Sequence, residues 1–134
     1  MNALLNNPTL HNLALLAGRA LLSALFIISG YGKIVGYAGT QAYMAKAGVP
    51  GALLPLVILT ELGGGLAILL GWQTRLIAVL LAGFTVLTAL MFHNDWSQQS
   101  QQINFLKNLS IAGGFLALFA AGAGRFSVDG REVD

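Results

Sequence analysis

Six ionisable residues lie in or beside long apolar runs: Arg19, Lys33, Glu61, Arg75, His93 and Lys107. At the centre of a membrane helix such a group costs roughly 2.5–3.5 kcal/mol, so it needs a partner. Arg19 and Glu61 fall deepest. From helix rise, Arg19 stands about 9 Å inside the start of its apolar run and Glu61 about 15 Å from the same side. An arginine side chain spans that difference, so the two are expected to pair, directly or through water. Such a pair either fixes helix register alone or organises a functional site, and pairing by itself does not separate the two.

Lys33, His93 and Lys107 form a second group, which maps to the opposite interface. Two cations beside an imidazole suit an anionic or carbonyl-bearing ligand. A quinone head group is one such ligand, because its oxygens accept hydrogen bonds and gain negative charge on reduction. The His93 imidazole is then the candidate to shuttle protons to and from such a ligand. The plainer reading is that lysines at span ends snorkel to water and that His93 beside Trp96 is ordinary interfacial composition. No nucleophile–base set, phosphate loop or metal cluster stands out. The histidines, His11 and His93, map to opposite sides, so no haem pair is expected.

The elements that must position these residues follow from composition. Hydrophobic residues make up 56% of the 134 and charged residues 9%, against roughly 25% charged in soluble domains. Too few charges exist to cover a small globule in water, whereas lipid accepts apolar side chains on the outside. The net charge of +2 includes no basic patch with interleaved aromatics, so no nucleic-acid partner is expected. There is no cysteine, which excludes disulfide, thiolate-metal and dithiol chemistry by this chain. Met1–Pro8 lacks a basic n-region, so the first apolar run is expected to persist as a span rather than a cleaved signal.

The expected fold is all-α: one membrane domain, a four-helix bundle with spans at 13–34, 53–70, 76–92 and 105–121. Thr9 is a candidate cap for the first helix. Residues 36–50, too polar and too short to span, read as a short helix in the interface, and 93–102 read as a polar loop. Tyr31, Tyr37, Tyr43, Trp72 and Trp96 read as interface anchors, and Asp129-Gly130 as a surface turn. Four spans put both termini on one side. Arg75, Arg125 and Arg131, with Arg19 nearby, oppose Lys33, Lys46 and Lys107, a slight bias toward cytoplasmic termini. Small residues at four-residue spacing are expected to face neighbouring helices: Gly63, Ala67 and Gly71; Ala78 and Ala82; Gly113, Ala117 and Ala121.

The ordered set Arg19, Gly30-Tyr31-Gly32-Lys33, Gly48-Val49-Pro50, Glu61-Leu62-Gly63-Gly64-Gly65-Leu66-Ala67, Gly71, Thr74-Arg75, Phe92-His93, Lys107-Asn108-Leu109, Gly113-Gly114, Gly122-Ala123-Gly124 and Ser127-Val128-Asp129 resembles the DoxX family. The likeness runs from about Leu13 to Asp129, and its strength lies in the order rather than in any one piece. It implies a four-helix bundle in the bacterial inner membrane. It implies much less about activity: some relatives look like the small subunit of a thiosulfate:quinone oxidoreductase, others associate with redox-protective enzymes, and many have no assigned reaction. Arg19, Lys33, Glu61, Arg75, His93 and Lys107 are the positions that match the family pattern.

Three functions follow as expectations. The first is a redox-linked auxiliary subunit with a quinone or other small hydrophobic ligand in a cavity lined by the six residues; its partner is a redox enzyme or a second copy of the chain. The second is a non-enzymatic assembly protein, with Glu61 fully paired and no cavity of ligand size. The third is a small-solute pathway, which needs a continuous polar route between the two groups. The chain carries no catalytic motif sufficient by itself.

Overall fold

The computed structural model describes Ala3 and residues 6–133; most of the Met1–Leu5 lead-in and Asp134 lie outside the described residues. Helix α1 (Pro8–Val35) is followed by the short α2 (Tyr37–Lys46), then α3 (Gly51–Leu70), α4 (Thr74–Phe92), α5 (Gln99–Ala121) and a last short helix, α6 (Val128–Val133). Helices α1, α3, α4 and α5 are each long and apolar enough to cross a bilayer. No strand occurs among the described residues. The all-α four-helix bundle is therefore the architecture observed. Its outer surface suits lipid: Leu21, Ile28 and Leu59 are 77%, 69% and 67% exposed.

Two helices begin earlier than hydropathy alone indicates. Helix α1 starts at Pro8, because the Asn7 side chain, not Thr9, accepts from the Thr9 and Leu10 amides. Helix α5 starts at Gln99, inside the stretch read as a loop. Glutamine is a sound helix former, and polarity at a span end does not oppose helix.

Helices α1 and α3 pack as one pair, α4 and α5 as another. Glycine sets the first contact: a Cβ on Gly30 would lie 2.9 Å from the Leu62 backbone nitrogen, and one on Gly65 would lie 2.9 Å from Ile27. In the second pair, Asn108 donates to the Thr85 carbonyl (3.2 Å) and the Thr88 hydroxyl (3.3 Å). The buried face of α5 is Ala112, Phe115 and Leu118. The expected small-residue face is turned outward, with Gly113, Ala117 and Ala121 exposed. On α3, Ala67 and Gly71 are buried while Gly63 is exposed. A large aromatic in the seam gains more dispersion contact than a row of small residues, and Phe115 meets Phe26 edge-on at 5.3 Å.

The pairs join through Phe26, Ile68, Leu81 and Phe115, in the half nearer the termini. Toward the α2 end they part, and α2 folds beside the gap. Met44 of α2 packs with Val49 and Leu54 in a second, smaller core.

Candidate functional site

Helix α3 is not uniform. It opens on a 3-10 turn at Gly51–Leu53, and residues Leu59–Gly63 form one wide π turn between two α-helical stretches, with Glu61 in its middle. Such single π turns recur at functional sites. Thr60 bonds back to the Leu56 carbonyl at 2.8 Å, a contact that favours local bending. The close approach at Gly30 brings the next turn of α1 alongside, and Lys33 Nζ lies 2.9 Å from Glu61 Oε1 and 3.1 Å from Oε2. Glu61 is buried, at 6% exposure, and the Lys33 side chain is 29% exposed.

The expected Arg19–Glu61 pair is absent. Arg19 is fully buried and donates instead to the carbonyls of Ile68 (3.4 Å), Leu69 (3.0 Å) and Phe126 (2.5 Å). Ile68 and Leu69 belong to the last turn of α3, where carbonyls run short of helical partners, although the Ile68 carbonyl also accepts from the Gly71 amide at 3.1 Å. A guanidinium, with five donors, satisfies several of them at once and meets the negative end of the helix. Arg19 and Lys33 are 14 residues apart on α1, about 21 Å along its axis, so each takes the acceptor nearest its own end of α3. Arg19 also holds the chain after α5 against the bundle, a structural task.

The chain beyond α5 folds back beside the α3–α4 turn. Asp129 is not a simple surface turn. Its carboxylate accepts from the Gln73 amide (2.9 Å) and the Thr74 amide (2.8 Å), and its own amide donates to Gly71 O at 2.9 Å. Partial burial alone would raise the carboxyl. The Thr74 and Gln73 hydrogen bonds and the nearby Arg19 charge outweigh it, and the group is held below its ordinary value. Asp129 thus caps α4 from a distance of more than fifty residues in sequence. Arg75, in the first turn of α4, is exposed and lies across Gly122.

A cavity of about 500 Å³ occupies the gap between the helix pairs at the α2 end. Four of the six candidates line it: Lys33, Glu61, His93 and Lys107. Arg19 and Arg75 do not; both lie at the terminal end. His93 Nδ1 sits 3.1 Å from Gln101 Oε1. Tyr43, expected only as an anchor, stacks on Phe92 at 5.4 Å and forms part of the wall. Asn104 and Asn108 also line the cavity; Asn108 entered above only through the family resemblance, and neither was a site candidate. The signal was there: Gln101, Asn104 and Asn108 recur at the three- and four-residue spacing of one helix face. Much of the remaining wall is apolar, including Phe26, Met44, Phe84 and Ile111. Among the described residues no cluster of three metal-ligating side chains forms.

The DoxX family model matches residues 14–94, which is more than half of the chain. The chain belongs to the DoxX family. The DoxX match runs from α1 through α4 and includes Arg19, Lys33, Glu61, Arg75 and His93; Lys107 and Asn108 lie beyond it. "Inner membrane protein YqjF" of Escherichia coli (strain K12) is 53% identical, with 90% of this chain and 92% of that protein aligned. "Inner membrane protein YphA" of the same organism is 40% identical over 87% and 89%. No solved structure matches.

Proposed function

We propose that this multi-pass DoxX protein holds a small lipid-soluble ligand with a hydrogen-bond-accepting head group, a quinone being the leading example, in the cavity at the α2 end. The observation that carries this reading is a ligand-sized space with an apolar body and convergent donors, bounded by Lys33–Glu61 on one helix pair and by His93 and Lys107 on the other. Both relatives are named as inner-membrane proteins. The same location is proposed here, with termini in the cytoplasm on the charge bias of the loops.

Each side chain then has a task. Glu61 holds the Lys33 ammonium at the wall. Lys107, which has no ionic partner among the described side chains, donates to a head-group oxygen and stabilises charge that develops there. The Gln101 side-chain oxygen facing Nδ1 favours the tautomer with the hydrogen on that nitrogen, which leaves Nε2 to accept from a hydroxyl of the reduced ligand. The chain offers no dithiol of its own, and in this reading a partner subunit supplies the electrons while this protein serves as the auxiliary.

The other readings fit less well. A purely structural assembly protein accounts for the paired Glu61 but leaves the cavity without a purpose. A solute pathway must pass Phe26 and Phe115, which pack edge-on between the two polar ends.

Titration of a short-chain quinone into nanodiscs tests the proposal. The native chain is expected to bind, and Lys107→Met to weaken binding by about tenfold or more, the worth of a charged hydrogen bond. Absence of binding by the native chain ends the quinone reading. Mass analysis of lipid-soluble molecules carried through purification then identifies any other occupant.

A further inference from the structure

At the opposite end of the molecule, an open groove of about 680 Å³ runs between the start of α4 and the loop after α5. Arg75 and Arg125 line it, and neither has an ionic partner among the described side chains. Asp129 also lines it, but both carboxylate oxygens are taken by the Gln73 and Thr74 amides, and the Arg19 charge lies close by. The groove is therefore net positive.

The backbone there shapes the groove. Gly122 and Gly124 adopt φ of +80° and +85°. A Cβ on Gly122 would stand 3.2 Å from one Arg75 guanidinium nitrogen, so glycine leaves the room in which that side chain lies. Two arginine forks in a glycine-shaped concavity suit a phosphate group. Arg75 is the second residue of α4, and Arg125 lies four residues beyond α5, so both stand at the end of the apolar helices, at head-group level.

We propose that this groove binds a phosphate group, carried by an anionic phospholipid head or by a soluble phosphate compound. The site is separate from the ligand cavity and does not depend on its reading.

Nanodiscs containing phosphatidylglycerol or phosphatidylcholine test it, with retained lipid counted by native mass spectrometry. The native chain is expected to retain phosphatidylglycerol preferentially. Arg75→Gln with Arg125→Gln should lose that preference, by roughly fivefold per arginine. Arg75→Lys with Arg125→Lys keeps the charge and should keep most of it, whereas Arg131→Gln, outside the groove, should behave as native. In phosphatidylcholine discs, inorganic phosphate that raises the melting temperature of the native chain but not of the double glutamine variant would identify a soluble source. Equal lipid retention by the native chain and the double glutamine variant, with no effect of phosphate on either, would overturn the proposal.

Discussion

At the scale of single residues, the Lys33–Glu61 pair is asymmetric. Glu61 lies at the cavity wall with its side chain only 8% exposed, while that of Lys33 is 29% exposed and stands near the helix end. Removal of the lysine strands a carboxylate among apolar groups, and removal of the carboxylate frees an ammonium that can snorkel. Lys33→Met is therefore expected to cost about 2 kcal/mol or more and Glu61→Gln distinctly less. Unfolding in mild detergent would check this, and equal losses would contradict the asymmetry. Asp129 gives a pH dependence. Its carboxyl is held below its ordinary value in the fold, so the stabilisation is complete above the unfolded value of about 4 and fades as pH falls through the folded one. The stability gap between native chain and Asp129→Asn, measured by melting at pH 7 and at successively lower pH, should close in acid. A gap independent of pH would show that the charge is not what caps α4.

At the scale of elements, the seam between α1 and α3 decides whether the pair at Glu61 can form. Gly30 admits no Cβ without moving the Leu62 backbone, whereas nothing stands within 4 Å of a Cβ on Gly113. Gly30→Ala is expected to cost about 1–3 kcal/mol and to separate Lys33 from Glu61. Gly113→Ala should be neutral or slightly stabilising, since alanine favours helix by up to about 1 kcal/mol. Melting of both variants in one detergent would decide it. The contrast is instructive because both glycines sit in similar sequence surroundings. Hydropathy made four spans legible, and the Tyr37–Lys46 polarity made α2 legible. Which face each span buries was legible for α4, where Ala78 and Ala82 do pack inward. It was not legible for the second half of α5, where from Ile111 to Ala121 apolar and small residues surround the helix on all sides and no amphipathic stripe marks the seam.

At the scale of the whole molecule, the six charged candidates divide into two sets at opposite ends, with an aromatic and aliphatic layer between them. Arg19 is a structural clamp on the C-terminus of α3 and on the returning chain; Lys33, Glu61, His93 and Lys107 border a cavity. The arginine-rich end carries both termini, which sets the expected topology. Alkaline phosphatase fused after residue 134 should be inactive and a fluorescent protein at the same point bright, with the reverse for phosphatase inserted in the loop at 94–97. Activity of the C-terminal phosphatase fusion would invert the orientation.

Composition alone determined that this chain lies in lipid as a bundle of helices, because the cost of hydrating so many apolar side chains exceeds anything its few charges offset. The ordered residues along it marked the family. Partner choice among the buried charges was decided only in three dimensions. A guanidinium in oil takes whatever acceptors stand near it, and for Arg19 these are backbone carbonyls, which no side-chain pattern reveals. The cavity arises where helix pairs diverge, a property of packing angles summed over whole helices rather than of any residue read in order.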